Sequence, residues 1–381
     1  MSSIPLLSAD ALRQALNLRD LTDPDRGPHA LQLLVSQATE ALSRAWGSEL
    51  RLRRELPIVS VEDNYDALSY PKHAIARDAR YTRYVSERVV LRTHTTAMLP
   101  GALRELSAEP ARDVLLACPG IVYRRDCIDR LHTGEPHQLD LWRIRTDAPL
   151  GSVDLREMIE RLVEVLLPGA RLRVNPAVHP YTVQGLEIEV ELGQGYVEIG
   201  ECGLAHPELI ARSGLPVDRY TGLAMGLGLD RILMLRKRMD DIRLLRAEDS
   251  RISAQLLDLE PYRAVSRQPS IRRDLSIVVD EAVSAEALGD RVRAALGNEA
   301  KDVESVELVS ETPYHELPAH AVARLGIRHG QKNALVRLVI RNLERPLTHA
   351  QANLIRNRVY RAIHEGENAE WATSAEPVSR S

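Results

Sequence analysis

Arginine, aspartate and histidine crowd between Gly120 and Asp140, where the chain reads Gly-Ile-Val-Tyr-Arg-Arg-Asp-Cys-Ile-Asp-Arg-Leu-His-Thr-Gly-Glu-Pro-His-Gln-Leu-Asp. The stretch looks like a hairpin but is too polar for a structural strand pair. Arg124, Asp126, Asp129, His132, His137, Gln138 and Asp140 all carry groups that hold charge or make hydrogen bonds. A second concentration ends the run Gly222-Leu-Ala-Met-Gly-Leu-Gly-Leu-Asp-Arg231. Fixed cations such as Arg124 and Arg231 suit a reaction that builds negative charge on a phosphate, because they can be in place before the charge develops. Each also has a plainer reading: Arg124/Asp126 as a surface ion pair worth little, and Asp230/Arg231 as an ordinary helix start. Gly226-Leu227-Gly228 gives only part of a dinucleotide fingerprint, since no third glycine or downstream acid completes it.

The elements that would position these residues follow from periodicity. A leader, residues 1 to 28, carries one helix-like stretch, Ser8 to Leu16, and closes on Asp23-Pro-Asp-Arg-Gly-Pro28. From His29 to Trp46 apolar residues recur at helical spacing and Gly47 ends the run. Glu49 to Val61 alternates as one strand with Pro57 inside it. Val153 to Leu167 reads as an amphipathic helix closed by Pro168-Gly169. Ala170 to Val190 reads as two strands around His179-Pro180-Tyr181-Thr182, and Tyr196 to Ile199 as a third, entering Gly200-Glu-Cys-Gly203. Beyond Tyr262 a strand (Asp274 to Val279), a helix (Ser284 to Leu296), two strands (Val303 to Leu308, Leu335 to Ile340) and a helix (His349 to His364) suggest a β-α-β-β-α-β rhythm. Residues 366 to 381 read as a loose tail.

These segments resemble the class II aminoacyl-tRNA synthetases, and among them the phenylalanyl-tRNA synthetase family. Residues 120–140 match that family's motif 2, Tyr-Arg-x-Asp/Glu, then Asp-Ala-Thr-His, then Phe-His-Gln-x-Glu. The helix and strand after His29 resemble motif 1, which builds the dimer interface in that class, and Gly222–Arg231 resembles motif 3. Asn64-Tyr-Asp-Ala-Leu68, Ala76-Arg-Asp78 and Leu91-Arg-Thr-His-Thr-Thr96 add matches in the same order. Several matches in correct order outweigh the plainer readings of each.

The resemblance covers about residues 29 to 365 and implies a mixed α/β (α+β) fold. An antiparallel-sheet catalytic domain over 29–255 would be followed by a ferredoxin-like anticodon-binding domain over 262–365, on a single chain like the compact organelle-type enzyme. The implied activity is attack of an amino-acid carboxylate on ATP to give an aminoacyl adenylate, then transfer to tRNA. It further implies that Arg124 meets the α-phosphate and the substrate carboxylate, that His132 and Arg231 meet ATP phosphates with Arg231 also stacking on adenine, and that Asp126 accepts from the adenine amino group. Glu187 and Glu198 would hold Mg²⁺ or contact ATP. Gln138 and Asp140 would hold the substrate amino group beside His94 and Thr96, and Ala224 would lie on the pocket floor. Tyr262, Arg263, Arg267, Arg272 and Arg273 are candidates for tRNA, through phosphate contacts and base stacking.

Where the family has a Phe-Pro-Phe turn facing the substrate ring, this chain has His179-Pro180-Tyr181. Glu201 replaces a glycine, Thr96 a serine, Asp140 a glutamate, and Pro136 the phenylalanine that stacks on adenine. The 381-residue chain contains no phenylalanine, where about a dozen would be ordinary, yet it has 11 tyrosines. Arg outnumbers Lys 46 to 4, which suggests a GC-rich genome, but such a bias would deplete Tyr as well. Two explanations stand. Either the whole chain was purged of Phe and still acts on phenylalanine, or His179 and Glu201 were introduced to satisfy a more polar substrate, since a buried carboxylate without a partner is expensive. The purge also accounts for Tyr65 and Gln268, which lie outside the amino-acid pocket. A paralogue delivering its adenylate to another acceptor, or a non-catalytic sensor of tRNA or amino acid, remains as a rival reading.

Composition is that of a soluble globular protein, 44% hydrophobic and 27% charged, and the net charge of −4 neither advertises nor excludes a nucleic-acid partner. Glycines and an Asp-Arg pair break the longest apolar run, so no membrane segment is expected. The start lacks the pattern of a signal or transit peptide, and Cys118, Cys127 and Cys202 have no CxxC or Cys/His metal spacing. A cytoplasmic monomer or homodimer without disulfides or structural zinc is the expectation.

Overall fold

The computed structural model describes residues 4–191, 193, 195–265 and 268–369. It divides into two compact units. The first comprises Met1–Arg124, Glu135–Leu245 and Ser253–Tyr262, and the second Arg125–Gly134, Arg246–Ile252 and Arg263–Ser381. Arg267 and most of the expected tail lie outside the described residues.

In the first unit, helix Ala30–Trp46 forms where the apolar spacing predicts. The His29 side chain accepts from the Leu31 amide at its N-cap, and Gly47 ends it at φ 64°, a left-handed conformation that glycine adopts without steric cost. Its face buries Leu31, Leu34, Val35, Ala38 and Leu42. The main sheet has seven strands in the order Glu49–Leu52, Asp113–Ile121, His137–Arg145, Thr221–Gly228, Tyr196–Ala205, Thr182–Glu191, Arg171–Pro176. The pairing between the first two is parallel and the others are antiparallel. Helix Ser152–Leu166 buries Leu155, Met158, Ile159 and Leu162.

Two expectations are corrected here. Glu49 to Val61 is two strands: Glu49–Leu52 joins the main sheet, while Ile58–Ser60 joins a separate small sheet with Val89–Leu91 and Tyr84–Ser86. Pro57 has no N–H for a ladder, and its carbonyl instead accepts from the Arg92 amide. The strand at Tyr196 runs through Gly200 and Gly203 to Ala205. Those glycines allow close approach: a Cβ at Gly203 would stand 2.8 Å from Thr182 Cβ, and one at Gly200 would collide with the Gly226 carbonyl.

The leader is built into this unit. Helix Ala9–Asn17 is capped by Ser8 and packs Ala15 with Leu91, Ile121 and Tyr123. The Tyr123 hydroxyl donates to Ala15 O at 2.8 Å, and Asp20 accepts from the Ile121 amide at 3.0 Å. The leader thereby holds the backbone immediately before Arg124.

The second unit contains an antiparallel three-stranded sheet, Ile271–Asp280 and Val303–Pro313 on either side of Gln331–Ile340. Helices Ala285–Leu296 and His349–Ile363 pack on one face, burying Leu275, Ile277, Val279, Val292, Val336, Leu338 and Val359. The order among the described residues is β-α-β-β-α with a short helix, Ala319–Leu325, before the third strand. A fourth strand after Ile363, needed for the expected rhythm, is not seen among them. Segment Arg125–Gly134 belongs to this unit. Ile128 lies in its core, the Val306 amide donates to Ile128 O, and Arg293 donates to the Asp126 and Cys127 carbonyls at 2.5 and 2.6 Å. Gly289 makes room for the loop, since a Cβ there would lie 2.8 Å from Asp126 O.

Candidate active site

Strand alternation places the chemistry of the first unit on one sheet face. Gln138, Asp140 and Trp142 alternate along one strand, and the register sets them opposite Gly228, Gly226 and Ala224 of the next. Ala224 and Gly226 in turn face Gly203 and Glu201, and Glu201 faces Glu187. Directly opposed residues point to the same side of a sheet. The central strand therefore contributes only Ala224, Gly226 and Gly228, leaving a shallow floor between Gln138/Asp140 on one side and Glu201 on the other. Between Ile188 and Glu189 the register slips by one residue, so Glu198 pairs with Glu189 and joins Glu187 and Glu201 on that face. Burial raises the Glu198 pKa; the Arg231 guanidinium works against that, while Glu201 and Glu187 add to it.

Asp140 is buried and accepts from Thr96 Oγ1 (2.6 Å), Trp142 Nε1 (2.8 Å) and Thr95 Oγ1 (3.3 Å). Burial nevertheless pushes its carboxyl pKa up. Gln138 accepts from the Thr95 amide at 3.3 Å. The Thr93–Thr96 turn is itself fixed by Asn64, whose amide donates to Thr93 Oγ1 and whose carbonyl accepts from the Thr93 amide. Arg124 Nε donates to Thr93 O at 2.8 Å. Arg83 donates to Arg124 O and pairs with Glu135, tying the two ends of the hairpin that remain in this unit.

Beside the turn stands a group of rings. His94 stacks on Tyr70 with centroids 5.7 Å apart, and Tyr181 lies 6.1 Å from both Tyr70 and Trp142 and stacks on His179 at 5.8 Å. Neither ring nitrogen of His94 has a hydrogen-bond partner. Burial, reinforced by the Arg124 charge and opposed only by a weak contact with the Asn64 backbone, lowers its pKa to about 3, so it is neutral at physiological pH. His179 Nε2 is 2.7 Å from Glu201 Oε2, and the Glu201 side chain is 45% exposed. Glu201 is thus neither deeply buried nor unpaired. Tyr70 and Trp142 escaped the reading of the sequence, since both look like ordinary core aromatics until the fold brings them to Tyr181.

Arg231, third residue of helix Leu229–Lys237, donates to Glu198 O at 2.9 Å. The neighbouring Asp230 does more than start a helix: its buried carboxylate accepts from the His137 amide and meets His137 Nδ1 at 3.0 Å. The other ring nitrogen of His137 accepts from the Leu21 amide at 3.1 Å. That chain of contacts joins leader, motif 2 strand and motif 3 helix.

Asp126 and His132 fall in the second unit with the Arg125–Gly134 loop. Asp126 accepts from the Cys127 amide, and His132 Nδ1 lies 2.8 Å from Asp129 Oδ2. The Asp129 bond, with a contribution from Cys127, raises the His132 pKa to about 10. Of the tRNA candidates, Tyr262 is in the first unit, its amide donating to Lys237 O. Arg263 and Arg272 are exposed in the second. Arg273 is held by Asn353 and His349 of the last helix.

A sheet of this order, carrying motif-like arginines beside a small-residue floor, belongs to a recognisable class: residues 49–256 match the class II tRNA synthetase core domain (F), over half of the chain, and the chain belongs to that family. Residues 266–371 match the ferredoxin-fold anticodon binding domain. Among curated proteins the chain is 32% identical over 210 residues to the phenylalanine–tRNA ligase alpha subunit of Macrococcus caseolyticus (52% of this chain, 58% of that one). It is 35% identical over 197 residues to that of Teredinibacter turnerae (50% and 58%), and 30% identical over 253 residues to that of Prochlorococcus marinus (65% and 72%). The chain thus spans little more than half the length of the first two. Among the described residues no helix is long and apolar enough to cross a membrane.

Proposed function

We propose that the chain is a phenylalanyl-tRNA synthetase-like ligase, which activates phenylalanine or a close aromatic analogue with ATP and passes the aminoacyl group to tRNA. The observation that carries this reading is the floor of Ala224, Gly226 and Gly228 flanked by Gln138/Asp140 and Glu201, with the His94/Tyr70/Tyr181 rings at its side. Asp140, Gln138, Thr96 and His94 orient the substrate amino group, and Tyr181 with Ala224 receives the side chain. Arg124 binds the substrate carboxylate and the α-phosphate as the carboxylate oxygen attacks. Arg231 and His132 bind phosphate oxygens, and Asp126 accepts from the adenine amino group. The carboxylates of Glu187 and Glu198, brought to one face by the register slip, suit Mg²⁺, which takes one or two protein carboxylates together with phosphates. Bound there, it would neutralise charge on the departing pyrophosphate. Exposed Arg263 and Arg272, with Arg267, Arg273 and Tyr262, are the tRNA candidates. The His179–Glu201 pair gives that carboxylate its partner inside the protein, which supports an aromatic over a cationic substrate. A cytoplasmic setting fits three free cysteines, and a monomer or homodimer is the proposed state.

Amino-acid-dependent ATP–pyrophosphate exchange tests the proposal. Phenylalanine should support exchange, and Arg124→Ala should reduce it by about 100-fold or more. Exchange only with another amino acid would mean a retuned pocket; none with any amino acid, with or without tRNA, would overturn the enzymatic reading.

A further inference from the structure

Cys127, Asp129 and His132 stand together on the loop in the second unit, each offering one ligand atom within 4.8 Å of the other two. The Cys127 thiol donates to Asp129 Oδ2 at 3.5 Å, and His132 Nδ1 is 2.8 Å from that same oxygen. The loop conformation behind this is fixed by backbone bonds: Asp129 Oδ1 also accepts from the Leu131 and His132 amides at 2.7 and 2.8 Å. On its N-terminal side, Arg293 and Ile128 anchor the backbone in the unit. All three side chains are partly exposed, so an ion can reach them.

We propose that Cys127, Asp129 and His132 bind a thiophilic divalent cation of the zinc class, whose arrival withdraws His132 from the phosphate contact assigned to it above. In a tetrahedral site with Zn–S about 2.3 Å and Zn–N and Zn–O about 2.0–2.2 Å, ligand atoms lie roughly 3.3–3.7 Å apart. The observed separations reach this with small side-chain movements. One thiolate, one imidazole and one carboxylate form a mixed donor set that favours Zn²⁺ or Co²⁺ over Mg²⁺, which wants oxygen. The fourth position stays open to water. Binding forms the S–metal, N–metal and O–metal bonds and releases the thiol proton, with that on the imidazole, to solvent, with no redox change. Spacing alone missed the site because an aspartate stands between Cys and His, in the pattern Cys-x-Asp-x-x-His.

The effect on His132 rests on the adenylation reading, whereas the site itself does not, and the test separates them. Co²⁺ titrated into the full-length protein should give one equivalent of a sulfur-to-cobalt charge-transfer band, bleached by Zn²⁺. Cys127→Ala should abolish that band and weaken binding by more than about 100-fold. Absence of the band, or its persistence in Cys127→Ala and loss instead in Cys202→Ala, would overturn the site. Micromolar Zn²⁺ should inhibit pyrophosphate exchange at least about tenfold more strongly in the wild type than in Cys127→Ala; equal sensitivity would overturn the coupling to His132. A protein inactive in exchange yet showing the cobalt band would fail the adenylation reading alone.

Discussion

His94 and His132 are both motif histidines, and their surroundings drive their protons in opposite directions. His94 is pressed between rings in the first unit, with no hydrogen-bond partner and with the Arg124 charge nearby, and its pKa falls to about 3. His132, half exposed in the second unit, is gripped by Asp129, and its pKa rises to about 10. Burial and partnership are therefore separate variables. Burial without a partner penalises the charged form, while a carboxylate at hydrogen-bond distance stabilises it even near solvent. A neutral, unpartnered donor beside a pocket is available to a ligand, whereas a protonated one already paired must be given up by its partner first.

The largest expected effect would remove that pairing. Asp129→Asn should return the His132 pKa from about 10 towards the ordinary 6.5, about a 1000-fold change in proton affinity, read by NMR titration of the imidazole. A value still near 10 would show that the loop backbone, rather than the carboxylate, sets the charge. Next, His94→Leu should leave unfolding in urea unchanged or slightly favour the fold, because an apolar side chain replaces a buried polar ring whose nitrogens make no well-formed hydrogen bond. Pyrophosphate exchange should fall by about 100-fold in the same variant. Loss of stability instead would mean that His94 is a structural residue.

The two histidines also predict a pH profile. Between about pH 3 and 6.5 the unfolded chain binds a proton at position 94 that the folded chain refuses, so this contribution is complete above 6.5 and is lost as pH falls through that window. Between 6.5 and about 10 the folded chain binds a proton at His132 that the unfolded chain lacks, so that contribution is complete below 6.5 and disappears as pH rises towards 10. Urea unfolding across pH should show His94→Leu flattening the acid limb and Asp129→Asn the alkaline limb, the second more weakly because that pair is solvent-exposed. The smallest effect tests a polar group that does have partners. The Tyr65 hydroxyl donates to Ala76 O at 2.7 Å and also meets Thr82, so Tyr65→Phe should cost about 1 kcal/mol by the same unfolding measurement. A stabilised variant would show that the hydroxyl is merely tolerated where the resemblance expects phenylalanine.

Much of the fold was legible because its signals are local. The apolar stripe and Gly47 delimit helix Ala30–Trp46, and the leader helix has its Ser8 cap. The glycine-rich run before Arg231 does become a strand feeding a helix. The resemblance grouped Gln138, Asp140 and Ala224, and the register of two adjacent strands brings them to one face; the polarity of residues 120–140 hid that its ends, residues 120–121 and 137–140, pair as strands. What escaped depends on contacts distant in sequence. The break after Leu52 follows from which sheet each half can join. The face shared by Glu187, Glu198 and Glu201 depends on a one-residue register slip. The membership of Arg125–Gly134 in the second unit depends on Gly289, Arg293 and Ile128, which no motif connects.

The reactive residue types, their order and the elements carrying them can be read from the chain alone, because helix periodicity, strand alternation and capping act over a few residues. Their state was set by neighbours that folding brought together. Whether a histidine is neutral or charged, whether Glu201 lacks a partner or has one in His179, and whether Cys127 meets His132 depend on local dielectric and on neighbours chosen by the fold. Those energies fall off within a few ångströms in space and are blind to distance along the chain.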